Sequence, residues 1–151
     1  MKTLFFVSLL LITVYGCVDD CSCPNITTIS DLGDATYENG PGCTFNITCT
    51  AVTSTYAASS FNSSNVPPLA GKIDDVFMLI LWDINSPAVG PDVSLMDAFG
   101  IVCDSGSWYA TKFPFGILYN PGRSNVFNVL SASEVNGKGY KAQIYQIRCY
   151  D

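Results

Sequence analysis

The clearest pattern in the chain is the alternation of apolar and polar residues over positions 42–52. The inward-facing set is Cys43, Phe45, Ile47 and Cys49, and polar residues occupy the positions between them. Because successive side chains of a strand point to opposite faces of a sheet, this period of two predicts a half-buried strand. Both cysteines fall on the buried face, where a disulfide would be shielded from solvent.

Shorter patterns predict further strands. Residues 76–82 form the most hydrophobic run after the N-terminal segment, and its length and flanking aspartates fit a strand that is buried on both faces or meets a partner. Phe99, Ile101 and Cys103 alternate ahead of a turn at 104–107, which predicts a hairpin whose second strand begins at Trp108-Tyr109. The β-branched segment 24–30 and residues 126–130 are also predicted strands.

The remaining segments predict loops and one irregular strand. Residues 54–68 are rich in Ser, Thr and Asn and end at two prolines, which indicates a surface loop or a weak edge strand. Residues 83–91 predict a loop. In the final segment 138–149 the apolar positions change parity at Ile144-Tyr145, which predicts a β-bulge. With no helical period in the mature chain, we predict an all-β fold, an antiparallel β-sandwich held together by about three disulfides.

The N-terminus has the pattern of a secretory signal peptide over residues 1–16. Lys2 supplies the positive charge, residues 4–14 the apolar centre, and Gly16 a small residue before cleavage. The apolar run is short for a membrane span, although an uncleaved anchor is the alternative interpretation. No later hydrophobic stretch is long enough to span, so we predict one secreted, extracellular domain over residues 17–151.

The composition narrows the classes of partner. The chain of 151 residues has a net charge of −6, and because Lys2 is the only charged residue of the signal, the mature charge becomes −7. Without a basic run, the chain has no electrostatic surface for nucleic acid or for acidic membranes. The sequence contains no histidine, which removes the commonest general base and the commonest metal ligand.

Six of the seven cysteines are expected to form disulfides. They are Cys21, Cys23, Cys43, Cys49, Cys103 and Cys149, and they allow 15 pairings. The positions of the strands favour a Cys49–Cys103 bridge. The N-terminal pair, Cys21 and Cys23, is then expected to bond to Cys43 and Cys149. Cys17 is left over: it is free, links two chains as a disulfide-bonded dimer, or belongs to the signal. A zinc site near Asp19 and Asp20 is disfavoured because a CxC motif with carboxylates and no histidine is a poor zinc signature.

Three asparagines stand in acceptor patterns for N-linked glycans. Asn25 and Asn62 lie in the segments before and after the strand predicted at 42–52. Asn46 lies on the polar face of that strand, which predicts that its side chain points to solvent. These patterns support glycosylation of an extracellular domain.

The cysteine framework resembles a nematode family of secreted domains with six cysteines and unknown function. The resemblance rests on Cys23-Pro24, the Cys43 to Cys49 spacing, Cys103 to Trp108, and Ile147 to Cys149. Two features depart from the family pattern: the first pair is CxC, and the segment between Cys49 and Cys103 is long. The resemblance implies an extracellular β domain and no assigned activity.

An immunoglobulin-like domain is the main competing fold. Cys49 and Cys103 are separated about as far as its inter-sheet cysteines. Its core tryptophan should follow the first cysteine closely, whereas Trp82 comes much later, and no tyrosine stands two residues before Cys103. The pattern therefore favours a generic β-sandwich.

The search for catalytic chemistry leaves only carboxylates. No serine lies in a G-x-S-x-G context, and thiols consumed in disulfides are not nucleophiles. The candidate carboxylates are Asp74, Asp75, Asp83, Asp92 and Asp97. Their positions around a hydrophobic strand favour solvated strand ends over a hydrolase pair or a calcium site.

The aromatic residues offer a second kind of function. Trp108, Tyr109, Phe113, Phe115 and Tyr119 either fill the core or, if exposed, contact a sugar or a protein. We predict a non-enzymatic extracellular binding or structural module without a cofactor, whose partner is a protein or a glycan. The alternatives are a carrier of a small apolar ligand in a lipocalin-like β-barrel and, less favoured, a carboxylate-dependent hydrolase.

Overall fold

The computed structural model describes residues 21–33, 35–69, 75–86, 89–121 and 127–149. The signal segment, Cys17, Asp19, Asp20 and Asp74 lie outside these ranges. The described strands are β1 (Ser30–Asp31), β2 (Thr36–Asn39), β3 (Phe45–Thr50), β4 (Tyr56–Ser60), β5 (Val76–Ile80), β6 (Asp92–Ser94), β7 (Val102–Asp104), β8 (Ser107–Ala110), β9 (Ile117–Tyr119), β10 (Asn128–Leu130), β11 (Ala142–Gln143) and β12 (Gln146–Arg148). A 3₁₀-helix (Ile26–Ile29) and two short α-helices, α1 (Leu95–Phe99) and α2 (Ala132–Val135), complete the elements.

The largest sheet has six strands in the order β1-β12-β4-β5-β9-β10. Its pairs are antiparallel except for β1 and β12, which run parallel. Register places Ile147, Ala57, Leu79 and Ile117 side by side across four strands, and all four are fully buried. This row is the face that the large sheet turns toward the main core.

Two three-stranded sheets complete the layers, with the orders β2-β3-β6 and β11-β8-β7. The strand predicted from the alternating segment is confirmed over β3, because Phe45, Ile47 and Cys49 are buried while the residues between them are half-buried. Cys43, which was predicted on the same buried face, lies before β3 and is half-buried. The predicted hairpin is also present as β7 paired with β8. Since side chains from all three sheets share one buried cluster, the predicted β-sandwich class with three disulfides is confirmed.

Several local predictions are wrong for identifiable reasons. The segment at 24–30 is mainly a 3₁₀-helix, because the Asn25 side chain accepts a hydrogen bond from the Thr27 backbone N–H and caps it. The segment 54–68, predicted as a surface loop or a weak edge strand, contains β4, which is a central strand between β12 and β5. Its small residues Ala57 and Ala58 are buried, so a weakly hydrophobic segment can be interior when neighbouring strands supply the bulk.

The helices and the C-terminal segment also differ from the prediction. Phe99 ends α1 instead of belonging to a strand, and Gly100 at φ +57° terminates the helix. The Ser94 side chain accepts from the Asp97 N–H and caps the other end. The predicted bulge at Ile144-Tyr145 is a crossing point between sheets, since β11 pairs with β8 while β12 pairs with β4.

The three disulfides join Cys21 to Cys43, Cys23 to Cys103, and Cys49 to Cys149. The predicted link from the N-terminal pair to Cys43 is confirmed. The predicted Cys49–Cys103 bridge and the predicted link from the N-terminal pair to Cys149 are wrong. Cys103 lies in the sheet next to the N-terminal segment, whereas Cys49 lies beside the end of β12, so tertiary position overrides the order along the chain.

Candidate functional site

An apolar groove of about 440 Å³ lies beyond the end of β5. Leu81 and Trp82, which follow β5, are buried at its base. The groove continues along the loop residues Asp83, Ser86, Val89, Gly90 and Pro91. Val93 and Ala98 line it from β6 and α1, and Ala51 lines it from the end of β3. The opposite wall consists of Pro114 and Phe115.

Short hydrogen bonds hold the loop beside the sheet. The Gly90 N–H donates to the Ala51 carbonyl at 2.7 Å, and the Ala51 N–H donates to the Pro91 carbonyl at 3.2 Å. A Cβ at Gly90 would lie 2.8 Å from the Ala51 Cβ, so only glycine allows this close approach. The Asp83 carboxylate accepts from the Asn85 N–H at 2.9 Å and stabilises the first turn of the same loop.

The position of the Phe115 wall depends on the residues on both sides of it. Phe113 is buried, and Asn136 holds its backbone from both sides: the Phe113 N–H donates to Asn136 Oδ1 at 3.0 Å, and Asn136 Nδ2 donates to the Phe113 carbonyl at 2.9 Å. Gly116 at φ +91° then turns the chain into β9, against the carbonyl of Leu130. This turn leaves Phe115 43% exposed while its neighbour Phe113 is 1% exposed.

The predicted aromatic residues therefore divide into two groups. Trp108 and Phe113 are buried in the core, Tyr109 and Tyr119 are half-buried, and Phe115 is exposed. Phe115 was among the predicted aromatic candidates but was not distinguished from the core residues. Val89, which is 78% exposed beside the groove, was not predicted. The Pro114 and Gly116 neighbours of Phe115 are the signal for its exposure, because they favour a turn over a continuous strand.

The carboxylates near the groove have ordinary surface positions. Asp83 lies at the groove itself, and Asp92 and Asp97 adjoin its lining residues. Asp92 accepts from the Thr50 hydroxyl at 2.8 Å, which joins β6 to β3. Lys112 Nζ donates to the backbone carbonyl of Asp97 at 3.0 Å, so a cation lies near these carboxylates. The three aspartates outnumber this lysine, and the rim is acidic next to an apolar floor.

A second, polar groove of about 420 Å³ lies near Asn62. Lys141 Nζ lies 2.9 Å from an Asp104 carboxylate oxygen. The hydrogen bond from Lys141 is the main reason that the pKa of Asp104 is lowered, and the same bond raises the pKa of Lys141. Both side chains are half-exposed, so the pair orders the surface without contributing much to stability.

The three glycan acceptors occupy different environments. Asn25 and Asn62 are exposed, and the Asn62 N–H donates to the Asp75 carboxylate. Asn46 lies on the predicted outer face of β3, but β3 is the middle strand of its sheet and the side chain is half-buried. Its Oδ1 is inaccessible, and its Nδ2 donates to the Thr48 hydroxyl at 3.3 Å.

Sulfur atoms form the closest cluster of potential metal ligands among the described residues. The sulfur atoms of Cys21, Cys23 and Cys103 lie within 4.8 Å of one another. All three are bonded in disulfides, and the thiolate form that binds a metal is therefore consumed.

Among the described residues, no helix has the length and apolar character needed to cross a membrane.

Comparison with known proteins identifies one family. A family model with the description TRA-1 regulated protein R03H10.4 matches residues 19–149. No curated protein and no solved structure shows a significant match to the chain.

Proposed function

The chain belongs to the TRA-1 regulated protein R03H10.4 family, a nematode-type family of unknown function, and we propose that it is a secreted, non-enzymatic module that binds an extracellular protein through the apolar groove. The observation that carries the proposal is the exposure of Val89 and Phe115 beside a filled core. Large apolar side chains that remain exposed around a concave surface are typical of protein-binding sites.

The compartment is supported by covalent chemistry. Three disulfides and the absence of a membrane-spanning helix from the described residues are compatible with an extracellular protein. Disulfides persist in oxidising compartments and are rare in the cytosol. The signal pattern at residues 1–16 and the three glycan acceptors support the same location.

The shape of the groove favours a protein over an enclosed apolar ligand. Carriers surround their ligand. In this groove Val89 is 78% exposed and Phe115 is 43% exposed, so an occupant must cover these two side chains from outside. The inner faces of the described sheets are packed against one another, and the core positions Leu79 and Ile117 have no exposed surface. These features support a filled sandwich over a lipocalin-like barrel.

Charge complementarity defines the occupant further. Asp83 lies at the groove, Asp92 and Asp97 adjoin it, and the whole chain is acidic. A partner segment with one large apolar side chain flanked by Lys or Arg would place its apolar group on the floor and its cations at the rim. Such pairing raises the association rate and weakens with salt.

A displayed peptide library tests this proposal without knowledge of the natural partner. The bait is the secreted protein, and the probe is a random 12-residue library on phage. We expect the selected peptides to contain an apolar anchor with adjacent basic residues. Phe115→Ser should weaken their binding by at least about tenfold, the cost typical of an interface anchor.

Phe127 supplies the matched control because it is 48% exposed and does not line the groove. Phe127→Ser should leave the affinity of the peptides unchanged. Equal losses in the two variants, or selected peptides without basic residues, would contradict the proposed site. Saturable binding of a fatty acid that survives Phe115→Ser would support the carrier instead.

A further inference from the structure

A small pocket of about 210 Å³ adjoins Asn25, between the N-terminal segment and the end of the β2–β3 hairpin. Phe45 and Trp108 are almost fully buried beneath it and pack edge to face, with ring centroids 5.2 Å apart. The half-buried Tyr37 ring and the Cys21–Cys43 disulfide form its sides. The pocket therefore combines aromatic surface with a covalently held rim.

Asn25 is oriented at the edge of this pocket by its own oxygen. Its Oδ1 accepts from the Thr27 N–H at 3.0 Å and from the Thr27 hydroxyl at 2.9 Å. The Tyr37 hydroxyl lies 3.5 Å from the same oxygen and donates to Asn39 Oδ1 at 3.1 Å. With Oδ1 engaged, Nδ2 is left without a hydrogen-bond partner in the described part of the chain, and Nδ2 is the atom to which an N-linked glycan is attached.

The other two acceptors lack this arrangement. At Asn46 the nitrogen, which would carry the glycan, is the engaged atom: Nδ2 donates to the Thr48 hydroxyl, while Oδ1 is buried. Asn62 is exposed, and the groove beside it is lined by polar residues such as Lys141 and Gln143 together with the half-buried Tyr109, without a buried aromatic floor. Only at Asn25, among the three, does an ordered amide adjoin a pocket with a buried aromatic floor.

From this juxtaposition we propose that the first N-acetylglucosamine linked to Asn25 occupies the pocket and stabilises the fold. The C–H face of the sugar packs on the Tyr37 ring, whose negatively charged π face attracts polarised C–H groups. Asn39 accepts from Tyr37 through Oδ1, and its side-chain N–H groups donate to the hydroxyl or acetamide oxygens of the sugar. The glycan thereby links the N-terminal turn to the hairpin, next to the Cys21–Cys43 bridge that joins the same two segments.

This inference rests on the proposed secretion, because the glycan is added only in the secretory pathway. The test uses protein secreted from a eukaryotic host and trimmed with an endoglycosidase that leaves one N-acetylglucosamine. The trimmed protein is compared with the variant Asn25→Asp, which keeps an oxygen acceptor for Thr27 but carries no sugar. We expect the unfolding equilibrium constant of the trimmed protein to be about fivefold smaller than that of Asn25→Asp, which is the size of one aromatic contact.

A double-mutant cycle assigns the effect to the pocket. In a Tyr37→Leu background the difference between trimmed protein and Asn25→Asp should fall below about twofold, whereas Tyr37→Phe should preserve it because the ring remains. Asn62→Asp is the matched control and should not change the unfolding constant. In NMR spectra, ring currents should shift the protons of the Asn25-linked sugar upfield, and Tyr37→Leu should remove that shift.

The outcomes separate this inference from the proposed function. An unoccupied Asn25, or equal stability of trimmed protein and Asn25→Asp, overturns the inference while secretion and an occupied Asn62 leave the proposed function standing. A chain that is retained in the cell with reduced cysteines overturns both.

Discussion

The disulfide-linked N-terminal region and the Phe115 wall of the groove are held in place by different interactions. In the first, Cys21–Cys43 attaches residues 21–26 to the connection between β2 and β3, and Cys23–Cys103 attaches them to β7. In the second, described contacts are non-covalent: the two hydrogen bonds of Asn136 to Phe113, and the close approach of Gly116 to Leu130. Both regions nevertheless place aromatic side chains at a surface pocket.

The difference shows how the chain can combine stability with an adaptable surface. A segment with little regular structure, such as residues 21–26, gains its order from covalent links to the core. The groove wall is anchored through backbone geometry and one asparagine, so single substitutions should alter it while the disulfides continue to hold the core. The following predictions test that separation, beginning with the largest effect.

Removal of the Cys49–Cys149 disulfide should cause the greatest loss of stability. The bridge spans 100 residues of sequence, and both cysteines are buried in the core. Replacing both by alanine should lower the free energy of unfolding by about 4 kcal/mol, because the unfolded chain loses a long covalent loop. The measurement is urea unfolding followed by near-ultraviolet circular dichroism.

The matched control is the double alanine variant of Cys21 and Cys43, which removes a disulfide that closes a loop of only 22 residues. Its loss should be smaller, about 3 kcal/mol, because loop entropy grows with loop length. A larger loss from the shorter loop would mean that packing around Cys21 and Cys43, and not chain entropy, determines the order.

Gly116→Ala should break the groove wall. At φ +91° an L-residue is strained, and the new Cβ would collide with the Leu130 carbonyl of β10. We expect a loss of about 3 kcal/mol in the free energy of unfolding, the size typical of a backbone clash in a packed region. Peptides selected for the groove should also bind more weakly, because Phe115 is displaced.

Gly137→Ala is the comparison variant, since Gly137 has φ +74° but no atom lies within 4 Å of its added Cβ. It should cost only about 1 kcal/mol from backbone strain and leave peptide binding intact. Similar losses of binding in both variants would show that the position of Phe115 does not depend on the turn at Gly116.

Glu134→Gln should have the smallest effect and should depend on pH. The Glu134 carboxylate accepts from the Ser131 hydroxyl and from the Ser131 N–H at the start of α2, and these bonds lower the pKa of Glu134 below its ordinary value of 4.5. A lowered pKa in the folded state stabilises the protein above pH 4.5 and loses that contribution as the pH falls through the folded value.

The wild type should therefore be slightly more stable than Glu134→Gln at pH 7, and the difference should disappear well below pH 4.5. Urea midpoints at both pH values provide the measurement. A difference that persists at low pH would indicate that the glutamine disturbs α2 by packing and not by loss of charge. Because Asn136 directly follows α2, the same variant also reports whether the helix start supports the Phe113 segment.

The candidate site was only partly accessible to sequence reasoning. The hydrophobic run before the groove and the loop after it could be predicted, because β5 is continuous in sequence and its turn residues are local signals. Hydrophobicity could not separate the exposure of Phe115 from the burial of Phe113, since both are phenylalanines in one segment. Pro114 and Gly116 signal a turn there, but Pro114 adjoins both residues. Contacts with Asn136 and Leu130, distant in sequence, decide which of them faces solvent.

Local patterns were enough to predict the β class, the strand with alternating residues, the hairpin at Cys103 and the use of six cysteines, because periodicity and turn chemistry act over a few residues. The disulfide partners, the central place of β4 and the sheet exchange near Ile144-Tyr145 could be seen only in the folded chain. These features depend on which segments meet after folding, and burial against a distant neighbour can outweigh the local preference of a small or polar residue.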